Sequence, residues 1–334
     1  ARTTWVQAAY EHMTGNKSVL WAFSDDMDGL RGVPDNIPNK EMLRLHLGKP
    51  LCEIPDPFGQ EESFSGYMNA KLRSFLDQFG FEYDFKSSKD QYRGGVFNDG
   101  LLRILETHDE IKKVILPTLG QKKGDSKDRS GWSPFMPVCT ECGKVYTTSV
   151  TDIHPETGEV SYRCDKRFAD KKGNNIEPCN HEGRTGVIDG NVKVGWKVDW
   201  ALRWYMFGVD YEMYGKDLIE SASLSGELVK ILGGQPPEGF FYEMFLDENG
   251  QNISKTKGNG LEVDEWLTYG PLESLSYFIF QTPTKARKLH FDVIPKAVDG
   301  YLDDRAKFSE QEEEEQLNSP VWFLENKTIR EGGE

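Results

Sequence analysis

Apolar side chains recur along this chain in two ways, every three or four positions or in short unbroken runs. The first pattern predicts helices and the second short strands. Helical spacing runs through "ARTTWVQAAYEHMTG", read as an amphipathic helix, then from about Asn39 to Leu47, through "SFSGYMNAKLRSFLDQFGF", and through "GLLRILETHDEIKKVI" as one further helix. It returns in "WKVDWALRWYM", "LIESASLSGELVKILGG" and "EVDEWLTYGPLESLSYFIF". The run "SVLWAFS", residues 18–24, predicts a buried strand that delivers Asp25, Asp26 and Asp28 to its end. Ligands of open α/β sheets gather at such strand ends, and carboxylates at a helix start are the plainer alternative. A strand-like segment ends at Gly215, with Asp217 next to the following helix as either its cap or an acceptor for a ribose. "FFYEMFLDENGQ" predicts a strand and then a hairpin at Asn249-Gly250, where both central positions need to tolerate positive φ. The alternation of strands and helices places the chain in the α/β class.

Trp196, Trp200 and Trp204 recur every four residues and share one helical face, so core packing is their ordinary role, with Lys197, Asp199 and Arg203 on other faces. Between residues 116 and 190 the texture changes to a charged loop, "GQKKGDSKDRSG", and a cysteine-rich segment. Cys139 and Cys142 have the spacing of a zinc knuckle, with Gly143 permitting the tight turn, and Cys164 and Cys179 complete four thiolates. The second half lacks a CxxC pair, which leaves His181 as an alternative to Cys179 for the fourth ligand, or as an ordinary loop histidine. A small β-rich insert with little core of its own needs such a metal.

Length and charge narrow the picture. A chain of 334 residues suggests about two domains, or one with a large insertion. Nothing approaches a run of about 18 apolar residues, so no membrane helix is expected. Clustered rather than scattered cysteines suit a reducing cytoplasm. A net charge of −15 excludes indiscriminate nucleic-acid binding and still permits a local basic patch. Part of the acidity lies in "EQEEEE", Glu310 to Glu315, expected as a solvated helix or disorder.

One loop is locally basic. "NISKTKGNG", Asn252 to Gly260, carries lysines, hydroxyls and glycines that a hairpin does not need and a phosphate does. It resembles the "KMSKS" loop of class I aminoacyl-tRNA synthetases: Ser254 and Lys255 match, and Asn252, Ile253 and Thr256 replace lysine, methionine and serine. Joined in order to "FSDDMDGLRGVPDNIPN", "GWKVDWALRW" and "YGKDL", it is similar specifically to the class I lysyl-tRNA synthetases, from Arg2 to about Phe280.

That resemblance implies a Rossmann-like catalytic domain with a zinc-binding connective insert, followed by helices. Its expected parts are residues 1–115, the insert at 116–190, the second half of the catalytic domain at 191–250, and the loop with a helical stem-contact region at 251–334. The family's "HIGH" motif and first Rossmann strand should precede "ARTT", and the anticodon-binding domain should follow residue 320, so a piece of a longer protein is expected. The implied activity joins lysine to its tRNA with ATP, Mg2+ and Zn2+, in a cytoplasmic protein expected to be a monomer with no membrane partner. Lys255 would neutralise charge on the β- and γ-phosphates, with Ser254 and Thr256 shaping the loop and Lys257 assisting. Gly215 and Asp217 would meet the adenosine ribose, although Leu218 stands where some members carry histidine. Asp26, Asp28 or Asp199, with Trp196 or Trp200, are the candidates for the lysine side chain. Another class I synthetase or nucleotidyltransferase, or a zinc-bearing tRNA-binding piece without catalysis, are the alternatives.

Overall fold

Parallel strand pairs linked by helical crossovers organise this chain, as alternating short apolar runs and helical periodicity require. The computed structural model describes residues 2–119, 131–169, 173, 175–253 and 260–328. The order begins α1 (Arg2–Thr14), β1 (Trp21–Ser24), α2 (Lys40–Leu45), α3 (Phe64–Gln78), β2 (Asp84–Ser87), α4 (Ser88–Arg93), α5 (Asn98–Glu106) and α6 (His108–Ile115). A β-rich stretch follows: β3 (Phe135–Pro137), β4 (Thr148–His154), β5 (Glu159–Cys164), β6 (Phe168–Ala169), β7 (Asn175–Ile176), β8 (Glu182–Gly186) and β9 (Val192–Val194). Then come α7 (Trp196–Phe207), β10 (Tyr211–Gly215), α8 (Ile219–Leu232), β11 (Glu238–Tyr242) and β12 (Phe245–Leu246). The last elements are α9 (Val263–Tyr269), α10 (Leu272–Phe280), β13 (Arg287–Lys288), α11 (Val293–Phe308), α12 (Glu313–Leu317) and α13 (Pro320–Thr328).

β1 pairs parallel with β2, from Trp21 opposite Asp84 to Ser24 opposite Ser87. β10 pairs parallel with β11, from Tyr211 opposite Glu238 to Gly215 opposite Tyr242, with α8 as the crossover. In the β-rich stretch β5 is central, antiparallel to β4 and β8, and the β3–β9 pair forms its base. The largest core joins the helices to that base: Leu101, Ile104 and Leu105 of α5, Ile111 of α6, Leu202 of α7 and Leu228 of α8 meet Phe135, Val160 and Val194. Trp266, Phe278 and Ile294 lead a second apolar centre among the C-terminal helices.

Several sequence expectations change. "GLLRILETHDEIKKVI" is two helices, because Thr107 turns its hydroxyl back to the Arg103 carbonyl at 2.8 Å and α6 restarts with Asp109 and Glu110 in its first turn. β1 is shorter than expected and only half-buried along its length. α1 is weakly amphipathic: Trp5 and Ala8 pack on the C-terminal helices, while Tyr10 and Met13 are exposed. The hairpin forms, but only Gly250 takes positive φ, at 76°, so the turn is a three-residue loop in which Asp247 Oδ1 accepts the Asn249 and Gln251 amides. Gly143 turns with φ 70°, as its place behind Cys142 predicts. The acidic run contributes to the short helix α12.

Truncation of Leu101, fully buried on α5 in the largest core, is expected to cost about 2–5 kcal/mol. The same change at Leu45, 79% exposed on α2, should stay within about 0.5 kcal/mol. Chemical denaturation of L101A and L45A checks both, and equal midpoints would contradict this core.

Candidate functional site

The end of β1 faces α7, and the charges between them are matched internally. Arg203 pairs with Asp25 and, one helical turn away, with Asp199, while its guanidinium lies 3.9 Å from the Phe23 ring centroid. Tyr92 of α4 donates to Asp199 Oδ1 at 2.5 Å and accepts the Val194 amide at 3.2 Å. Burial lowers the Arg203 pKa, but the Asp199 and Asp25 carboxylates more than reverse this and hold it above its usual value. Asp25 is pushed the other way, its carboxyl raised by burial against the pull of Arg203. Burial and the Asp199 charge likewise raise the Tyr92 hydroxyl, so it remains a donor. Asp28 pairs with the buried Lys193 of β9, whose ammonium is kept charged by Asp199 and Asp28 despite its burial.

Asp26 does a different task. Its carboxylate accepts the Ser87 hydroxyl at 2.5 Å, the Lys89 amide at 2.7 Å and the Asn69 amide group at 3.2 Å. It thereby ties the end of β1 to the end of β2. All three aspartates proposed for a substrate ammonium are therefore engaged by protein groups. Asp199 and Arg203 are buried, so α7 packs on the faces they occupy as well as on the tryptophan face. The tryptophans do meet, Trp196 stacked on Trp200 at 5.1 Å and Trp204 tilted by 46° against Trp200 at 4.8 Å, with Trp196 at the exposed end.

Sequence reasoning missed Tyr92, Lys193, Glu212 and the pairing role of Arg203. Arg203 lay four residues after Asp199, a helical ion-pair spacing that could have exposed it. Glu212 of β10 accepts both the Trp200 and Trp204 indole N–H groups on one oxygen, at 3.3 and 3.0 Å. Burial raises its pKa, with the two indole donors and the Arg203 charge acting against the rise.

At the carboxyl end of β10, Gly215 lets the Asp217 side chain fold close: a Cβ there would lie 2.6 Å from Asp217 Oδ1. Asp217 is exposed in the turn before α8, with its carboxylate folded over the strand end. Beyond the hairpin, Ile253 and Gly260 meet, since a Cβ on Gly260 would be 2.8 Å from Ile253 Cγ2. Ser254, Lys255, Thr256 and Lys257, which sit between them, lie outside the described residues.

Cys139, Cys142, Cys164 and Cys179 bring their sulfur atoms within 4.8 Å of one another. The Cys139–Cys179 and Cys142–Cys164 separations are 3.5 and 3.8 Å. Sulfurs bound about 2.3 Å from one tetrahedral ion stand about 3.8 Å apart, so this donor set fits such a metal. Two turns build it: the Gly143 amide returns to the Cys139 carbonyl at 2.8 Å, and the Asn180 amide to the Cys164 carbonyl at 2.9 Å, with Asn180 at φ 60°. His181 Nε2 instead lies 3.1 Å from the Thr140 hydroxyl and is outside the sulfur group.

A family model described as "tRNA synthetases class I (K)" matches residues 1–328. The chain belongs to this family. It is 45% identical over 330 residues to a "Lysine--tRNA ligase" of Rickettsia bellii (strain OSU 85-389), covering 98% of this chain and 60% of that protein. A "Lysine--tRNA ligase" of Rickettsia felis is also 45% identical, with 98% of this chain and 59% of that protein covered. The chain thus spans about three fifths of the length of these relatives. In this member of the family the end of β1, the tryptophan row and the end of β10 are built from the segments that carry the resemblance.

R203A would leave Asp199, with a side chain only 3% exposed, without its cation. The expected loss is about 3–5 kcal/mol, with little added by Asp25, whose side chain is 45% exposed and screened by water. Y92F, which removes one donor from Asp199, should lose about 1–3 kcal/mol. Urea titrations rank the two, and R203A milder than Y92F would contradict this network.

Proposed function

We propose that this chain carries the catalytic region of a lysine–tRNA ligase. The observation that carries this reading is the family match over residues 1–328 together with 45% identity to proteins so named along 98% of the chain. The substrates are then lysine, ATP and a tRNA for lysine. The lysine carboxylate attacks the α-phosphate of ATP, giving lysyl-adenylate and pyrophosphate. The 2′-hydroxyl of the tRNA's terminal adenosine then takes the lysyl group. Neither step needs an enzyme nucleophile, so positioning and charge stabilisation accelerate both.

The parallel pairs β1–β2 and β10–β11 support a Rossmann-like catalytic domain, interrupted at residues 116–190 by the cysteine-rich insert and followed after residue 250 by the loop and helices. The exposed Asp217 beside Gly215, at a parallel strand end, suits hydrogen bonds from the adenosine ribose. Lys255 is assigned to the β- and γ-phosphates, Ser254 and Thr256 to loop shape, and Lys257 to a supporting charge. Magnesium, arriving with ATP, would supply further charge for the phosphates, and no carboxylate cage is assigned to it. Zinc, held by the Cys139, Cys142, Cys164 and Cys179 thiolates, cross-links the insert and has no part in the chemistry. Among the described residues no helix is long and apolar enough to cross a membrane.

One tightly held zinc per chain is expected by elemental analysis. C139S with C142S should lose it and raise hydrogen exchange across roughly residues 136–190, with the β10–β11 pair unchanged. Metal-free protein with an intact insert would refute the assignment.

K255A tests the reaction itself. If this lysine meets charge that grows in the transition state, adenylate formation should slow by about 10²–10³-fold, the scale of one lost oxyanion donor. The KM for lysine should move little, K257A should do less, and transfer to tRNA should be less affected. Rapid-quench measurement of adenylate in the protein at its native full length gives the answer. An unchanged rate would reduce the loop to a solvated turn, and absence of lysine-dependent ATP–pyrophosphate exchange in the wild type would defeat the reading as a whole.

A further inference from the structure

The carboxylates around α7 do not have equal partners. Asp25 and Asp199 share Arg203, Asp28 holds Lys193, and both oxygens of Asp26 are occupied by protein donors. Glu212 differs. It is inside the same charge field, and its described hydrogen bonds come from two neutral indole N–H groups on Oε2 alone. Arg203 acts on it at a distance while its hydrogen bonds go to the two aspartates.

A carboxylate is an expensive choice for holding two indoles. A glutamine side-chain oxygen could accept the same two bonds without the cost of desolvating a charge. The negative charge therefore asks for a cation, and the hydrogen bonds described for Arg203 go to Asp25 and Asp199 instead. The surroundings suit an ammonium on an apolar stem. Trp200 lies 5.8 Å from Tyr214 at 86° between ring planes, and Tyr214 is two residues beyond Glu212, on the same face of β10. Aromatic rings next to a carboxylate attract a cation and cover methylenes.

The position along the strand completes the argument. Glu212 is three residues before Gly215, about 10 Å at a strand's rise of ~3.3 Å per residue. An amino acid whose side-chain ammonium sits at Glu212 can point its own carboxylate toward the strand end, where the nucleotide is assigned.

We propose that Glu212 is the specificity-determining residue for the amino-acid substrate, with its free oxygen receiving the side-chain ammonium of lysine. This rests on the lysine–tRNA ligase reading and goes beyond it by replacing Asp26, Asp28 and Asp199 with one carboxylate as the ammonium's receptor. Those three hold the site together, and Trp200 and Tyr214 line it.

The test is E212Q, which retains an acceptor for both indoles and removes only the charge. ATP–pyrophosphate exchange is measured in the protein at its native full length, with lysine and with norleucine, whose four-carbon stem ends in a methyl group. The KM for lysine should rise about a hundredfold, the scale of removing one member of a buried charge pair, with a much smaller change in kcat. Preference for lysine over norleucine should fall by a similar factor, which a merely structural role would not produce. E212D, which withdraws the charge by one methylene, should keep the preference at a raised KM, and it carries the test if E212Q does not fold. A wild-type KM for lysine in either variant, or equal losses with both amino acids, would overturn the proposal. Wild-type exchange with lysine keeps the underlying function standing in that case, whereas its absence would defeat both.

Discussion

Arg203 is the charge on which the centre of this molecule depends. Its guanidinium joins Asp25 at the end of β1 to Asp199 on its own helix, beneath the Phe23 ring. A cation taken this far from water is tolerable only where anions repay the desolvation. Asp199 in turn holds Tyr92, and Tyr92 holds the Val194 amide, so one charge fixes β1, α4, β9 and α7 relative to one another. Lys193 and Asp28 repeat the device one step further along β9. Among the described residues each parallel sheet is two strands wide, and these ion pairs add to the sheet hydrogen bonds in setting the strand ends.

The cysteine-rich stretch solves a different problem. Its sheet is short and many of its side chains face solvent, so apolar burial alone gives it little stability. It is secured at two points. At one end Phe135, Val160 and Val194 enter the main core, and at the other the four sulfurs converge. Neutral thiols packed that closely have no strong attraction for one another, and burial raises the Cys142 thiol further. A metal dication held by the four sulfurs would convert the cluster from a weak point into a cross-link.

How these two regions bear on function follows from rigidity. The chemistry assigned to this family asks for fixed positions and not for a nucleophile, and preorganised charge is effective only if it does not reorganise during reaction. A buried ion network and a clamped tryptophan stack provide that rigidity, while the loop between Ile253 and Gly260 is joined at its stem by direct contact of those two residues. The fixed groups lie at the ends of strands.

The sequence by itself determined what depends on local spacing. Cysteines with two residues between them favour a knuckle, Asn249-Gly250 favours a turn, and a 3.6-residue apolar period makes α3, α7 and α8 helical. It also carried the family, because strings such as "YGKDL" and "NISKTKG" are read without any fold. The break at Thr107 was hidden, since a hydroxyl competing for a helix carbonyl leaves the apolar period intact. The tertiary structure alone decided which charges meet. Arg203 and Asp25 are 178 residues apart, Lys193 and Asp28 are 165 apart, and no periodicity connects them. Asp26, Asp28 and Asp199 looked equally free in the sequence because an aspartate's partner is chosen by proximity after burial. Glu212 looked like an ordinary strand residue until two indoles, 8 and 12 positions before it, were folded onto its carboxylate. Desolvation acts on the packed molecule and not on the chain, so only the fold could show which carboxylates are held by cations and which by neutral donors.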